Sequence, residues 1–125
     1  MAQEDYLELF GAPSARAVAQ EFARALDAEL HHAGTTCHGE QFTINTGGCI
    51  VSIHEWTDVA LEPGEGSVLG SVFHVARDAA QQHAITDRLF DHIVINTTWG
   101  IESDSDLEDF EERCRPGPSE GSCEI

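Results

Sequence analysis

The chain has 125 residues, 41% of them hydrophobic, and carries 23 acidic side chains against 6 basic ones, a formal net charge of -17. That length suits one domain burying roughly 65% of the surface its unfolded chain exposes, with no metal or disulfide required. The charge disfavours direct nucleic-acid or membrane binding, because phosphates are repelled, and favours basic proteins or cations.

In chain order, Tyr6-Leu7-Glu8-Leu9-Phe10 alternates and stops at Gly11, which suits a short first strand. Pro13-Ser14 opens a helix expected to run to about His31, with Val18, Phe22, Leu26 and Leu30 spaced four apart and Ala15, Ala19 and Ala23 widening the stripe. Thr35 to Glu40 reads as a polar connection. Next comes a hairpin: Phe42 and Ile44 share one face, Cys49, Val51 and Ile53 share a face of the partner strand, and Gly47-Gly48 supply the turn. Leu61 to Gly66 is a surface loop. Ser67 to Ala76 is a further strand with Leu69, Phe73 and Val75 on one side.

Asp78 caps a second helix with Gln81 three residues on, and Ile85, Leu89 and Ile93 form its stripe. The β-branched density at Ile93 to Thr98 predicts a strand replacing that helix near His92. Ser105 with Glu108 looks like another cap, for a short acidic helix docked through Leu107, Phe110 and Cys114. The expected fold is α+β, an antiparallel sheet of about four to five strands with two main helices on one face, a ferredoxin-like or related two-layer sandwich. Residues 1–114 form the domain and 115–125 a flexible tail of Pro, Gly and Ser.

The amino end lacks the basic segment and apolar run of a secretory signal, and no stretch approaches the roughly 18 apolar residues of a membrane helix, so a cytoplasmic protein is expected. Four cysteines, Cys37, Cys49, Cys114 and Cys123, allow disulfides without demanding them. In an exported chain Cys114 to Cys123 would be the natural short closure.

His31, His32, Cys37 and His38, joined by Cys49 or His54, have the right chemistry for zinc but only half of the usual paired spacing, so no metal or other cofactor is assigned. Cys49 or Ser52 could meet His54 or His74, yet Cys49 sits on an apolar strand face and no catalytic motif accompanies them, so no catalytic residue is assigned. Asp104 and Asp106 begin like a calcium loop but lack its glycine. A small enzyme or a ligand- or metal-binding domain built on these His and Cys residues is the competing class, with His54 and His74 in a cavity. A homodimer through an unpaired strand edge is a third.

The most lopsided stretch is Glu102, Asp104, Asp106, Glu108, Asp109, Glu111 and Glu112, seven carboxylates before the first balancing charge at Arg113. All six basic residues are arginines and lysine is absent, a composition that also suits solubility or a salt-adapted host. Distribution separates the two readings: salt adaptation acidifies a surface all round, whereas a field for a partner is focused. The expected function is a stoichiometric inhibitor of immunity, antitoxin or anti-defence type, mimicking nucleic acid toward a basic effector such as a nuclease. The acidic run would carry the electrostatics, with Trp99 and Phe110 as apolar anchors.

Overall fold

Alternating side chains build the first strand, β1 (Asp5–Phe10), which buries Asp5, Leu7 and Leu9 and leaves Tyr6, Glu8 and Phe10 half-buried on the other side. The computed structural model describes residues 4–36, 39–56, 67–106 and 113–115. Helix α1 (Ala15–Leu26) starts where Ser14 accepts a hydrogen bond from the Ala17 N–H at 3.1 Å, and it buries Val18, Ala19, Phe22 and Leu26. It ends one turn before the expected limit. Asp27 takes a left-handed conformation (φ 49°) and the Ala28 N–H closes back onto the Ala23 carbonyl. Leu30 continues the four-residue spacing but reaches the core from a strand, β2 (Leu30–Thr36), where the end of the helix and the start of the polar connection at Thr35 were expected.

The hairpin forms as expected between β3 (Gly39–Thr46) and β4 (Cys49–Trp56), with Gly47 and Gly48 both at positive φ (55° and 80°). In β5 (Ser67–His74) Val68 and Val72 are buried, and Gly70 lies against the Phe22 ring, where an added Cβ would sit 3.0 Å from the ring edge. Leu69 and Phe73 therefore occupy the opposite side of the sheet.

Helix α2 (Ala79–Asn96) begins at the expected cap, Asp78 accepting from the Gln81 N–H at 3.1 Å. It does not give way near His92. Ile93 continues the buried stripe of Leu89, so its burial is satisfied within the helix, while Ile95 is left 79% exposed. Thr97 ends the helix with an extended backbone, and the strand expected at 93–98 lies later, as β6 (Gly100–Ser105). A short strand, β7 (Arg113–Arg115), follows. The acidic helix expected from Ser105 to Cys114 thus has strands at both ends, and its middle, 107–112, falls outside the described residues. Arg115 belongs to β7 and not to a tail.

The strands form one antiparallel seven-stranded sheet in the order β2-β3-β4-β5-β1-β6-β7, more than the four to five expected. Helix α1 carries the chain from β1 to the β2 edge, and α2 carries it from β5 past β1 to β6. Both helices pack on one face, as expected, enclosing a core of Phe22, Phe42, Ile53, Leu89, Ile93 and Ile101.

Two arginines hold β7 to α2. Arg113 pairs with Asp91 at 2.7 Å over the Phe90 ring, and Arg115 donates to the Val94 carbonyl at 2.9 Å and the Thr97 carbonyl at 2.8 Å. A cation at that end complements the helix dipole and satisfies carbonyls that have no partner within the helix. Cys114 is disulfide-bonded and Cys49 is a buried free thiol; Cys37 and Cys123 lie outside the described residues.

Candidate interaction surface

Residues in register across an antiparallel pair share a face, so the rows on the helix-free side follow from strand pairing. One row runs from β6 to β3 as Glu102, Glu8, Leu69, His54 and Gln41, and the next as Asp104, Tyr6, Ser71, Ser52 and Thr43. Phe73 faces Ile50 in a third. Carboxylates thus gather on the β1–β6 half of this face, with Glu8 directly opposite Glu102.

Asp106 extends the group past the end of β6. The Tyr6 hydroxyl donates to its Oδ2 at 2.8 Å and lies 3.4 Å from Glu4 Oε2, while the Asp106 N–H donates to the Glu4 carbonyl at 3.0 Å. The hydrogen bond to Asp106, then burial, then the charges of Asp106 and Glu4 push the Tyr6 phenol up to about 12.

The cations lie elsewhere. Arg16 pairs with Glu40 at 2.6 Å and Arg24 with Glu21 at 2.6 Å; Arg88 is on α2, Arg113 and Arg115 turn toward α2, and Arg77 sits in the β5–α2 turn. None occupies the helix-free face. The Arg16 hydrogen bond holds Glu40 below the usual carboxylate range.

Of the residues expected to bind a partner, the fold gathers Glu102, Asp104 and Asp106 and adds Glu4 and Glu8. Trp99 is placed apart, half-buried against the core and lining a shallow groove with Glu21, Ile95 and Thr97 on the helix side. Glu108, Asp109, Phe110, Glu111 and Glu112 lie outside the described residues. The alternation Glu4, Tyr6, Glu8 was visible in the sequence; its pairing with a strand almost a hundred positions later was not.

A second group went unforeseen. The Asp5 carboxylate, fully buried, accepts from Gln82 Nε2 at 2.9 Å, Thr86 Oγ1 at 2.6 Å and Ser105 Oγ at 2.6 Å, with His83 Nδ1 at 2.7 Å. Four donors fill the roughly four acceptor positions of a carboxylate, so this group anchors α2 to β1 and β6 and has no lone pair left for a metal or substrate. Its sequence signal is the polar pair Gln82 and Thr86 on the buried stripe of α2.

The described histidines do not gather into one cluster. His32 contacts Glu40 at 3.1 Å and stacks edge-on to Phe42, its neighbour His31 points to the opposite side of β2, and Cys37 and His38 lie outside the described residues. No group of three metal ligands occurs among the described residues. His74 is buried, not a cavity group: its Nδ1 accepts from the Ala76 and Asp78 N–H groups, which leaves Nε2 to donate to Gln81, so it builds the β5–α2 turn. His54 lies in the sheet's helix-free rows. Burial, with the charges of Asp5 and Asp78, pushes the Cys49 thiol up, which suits packing and not nucleophilic attack.

No protein-family model matches the chain, and no curated protein matches it significantly.

Proposed function

We propose that the protein acts by binding, as a stoichiometric inhibitor of immunity, antitoxin or anti-defence type that blocks the cationic nucleic-acid groove of a basic effector such as a nuclease. The observation that carries this reading is the segregation of charge. On the helix side acidic and basic residues are mixed and paired, whereas the helix-free face holds Glu8, Glu102 and Asp104 with no arginine among them. A general salt adaptation has no reason to sort cations to one side. Carboxylates two residues apart on β6 lie roughly 7 Å apart along the strand, a spacing suited to imitating successive backbone phosphates. Low-dielectric sheet beneath them strengthens the field that steers a cationic partner.

Within this reading β6-β1-β5-β4 and the two helices form a ferredoxin-like core, extended by β2–β3 on one side and β7 on the other. Edge-to-edge self-association is less favoured, because β2 carries a bulge between His32 and Gly34 that turns the edge away from a flat partner. Among the described residues no helix is long and apolar enough to cross a membrane. The location proposed is cytoplasmic, and thiol counting on rapidly alkylated native protein tests it: a Cys114 disulfide that persists there would overturn it in favour of an oxidising compartment.

The test is paired capture from the native host, with wild-type protein and a Glu8→Gln, Glu102→Gln, Asp104→Asn variant as baits. The expected result is a basic nucleic-acid-binding protein retained by the wild type, released by salt, lost from the variant, and inhibited at one-to-one stoichiometry. Equal capture by both baits, or no inhibition of the captured protein, refutes the proposal.

A further inference from the structure

The solvent side of a two-layer sheet ordinarily alternates to polar residues, yet here Ile50, Leu69 and Phe73 stand in the helix-free rows beside the carboxylates of β1 and β6. Neither helix covers them. We propose that this face receives one helix of the basic partner, an amphipathic helix whose apolar stripe seats on Leu69 and Phe73 and whose adjacent flank of Arg or Lys meets Glu8, Glu102 and Asp104. The inference rests on the reading that the chain binds a basic protein, and it specifies the element that the partner presents.

Charge selects the occupant. The segments outside the described residues, 1–3, 37–38, 57–66, 107–112 and 116–125, contain neither Arg nor Lys, and all six arginines are placed away from this face. No arginine of this chain lies over these carboxylates, and a second copy would bring a net charge of -17 that opposes its approach. A basic protein is the occupant that the charge favours.

Width selects the helix. From the carboxylates on β6 across β1 to Leu69 and Phe73 on β5 is two strand spacings, roughly 10 Å. An α-helix with its side chains is about 10–12 Å across, so one helix lying over β1 spans both halves of the patch, and a helix is an ordinary cover for a sheet face. Helices that read nucleic acid carry the cationic flank required, which joins this geometry to a nuclease-type partner.

The test uses the full-length protein, isotope-labelled, titrated at low salt with two peptides of roughly 18 residues, about five helical turns. One carries leucines along one stripe with arginines on the adjacent flank; the other has the same composition in scrambled order. The patterned peptide is expected to move the amide resonances of Tyr6, Glu8, Leu69 and Ser71. Leu69→Glu and, independently, Ser71→Arg should each weaken it at least about tenfold, as expected for a central contact, while leaving the spectrum of the α1–α2 side unchanged. Should Leu69→Glu fail to fold, Ser71→Arg on a polar position still decides the matter. Equal binding of both peptides at the face overturns the helix but leaves the cation-binding reading standing. No perturbation of the face by either peptide overturns both.

Discussion

One strand, β1, serves two unlike faces. Inward, Asp5 is a fully buried carboxylate encircled by Gln82, His83, Thr86 and Ser105. Outward, Glu4 and Tyr6, one residue to either side of Asp5, meet Asp106, and Glu8 stands opposite Glu102. A buried charge survives only when its acceptor positions are filled, so the inner face assigns donors from α2 and β6 to Asp5. The outer face instead sets like charges across a strand pair, where they cost stability. The contrast separates two tasks: the inner face holds the fold together, and the outer face keeps a negative field that a cationic partner would relieve.

The largest expected effect breaks the inner face. Asp5→Ala deletes the acceptor for four donors at once and should destabilise the protein by about 3–5 kcal/mol, read from urea unfolding. A loss below about 1 kcal/mol would mean that water satisfies those donors and that the group is peripheral. Arg115→Ala comes next. It removes the donors that hold the Val94 and Thr97 carbonyls and uncaps α2, for an expected loss of about 1.5–3 kcal/mol, with hydrogen exchange accelerated at 93–97. Unchanged exchange there would place the hold of β7 elsewhere, in Arg113 and its partners on α2.

How far the sequence announced these faces depends on whether the determinant was local. The hairpin at Gly47-Gly48 and the caps at Ser14 and Asp78 are decided within a few residues, and each was legible. Leu30 misled because a four-residue spacing fits both a continuing helix and a strand entering the same core; Asp27, in its left-handed turn, chose between them. Ile93 to Asn96 misled for the converse reason. Its β-branched run suggested a strand, but burying Ile93 on the α2 stripe, with Arg115 closing the helix end, outweighed intrinsic preference. The acidity of 102–106 was legible as composition. That it faces away from the helices beside Glu4 and Glu8 depends on the pairing of β1 with β6, a contact between distant segments that periodicity cannot specify.

A smaller effect sharpens the outer face. Because Glu8 and Glu102 are direct cross-strand neighbours, Glu102→Gln should leave the fold intact and raise stability by roughly 0.2–1 kcal/mol at low salt. The gain should shrink as salt is added, since exposed charges are screened. The same substitution should weaken a cationic partner. Stability and binding moving in opposite directions would mark these carboxylates as a field kept for a partner; a loss of both would make them part of the scaffold.

The smallest effect reads the outer face directly. Tyr6 is the only tyrosine in the chain, so its ionisation can be followed by near-ultraviolet absorbance without interference from another phenol. Its pKa of about 12 in the folded protein lies above the ordinary 10.0, because the neutral phenol donates to Asp106 and the phenolate would be repelled. A group whose pKa rises on folding stabilises fully below its unfolded value and loses that contribution as pH climbs through the folded one. The protein should therefore lose stability between about pH 10 and 12. Asp106→Asn should bring the midpoint back toward 10, and a native midpoint already near 10 would mean that the tether does not hold in solution. A cation seated on Asp106 would neutralise the charge that raises the phenol, so binding at this end of the face should lower the midpoint. A complex that leaves it unchanged must sit elsewhere, toward Glu102 and Leu69 or on the helix side.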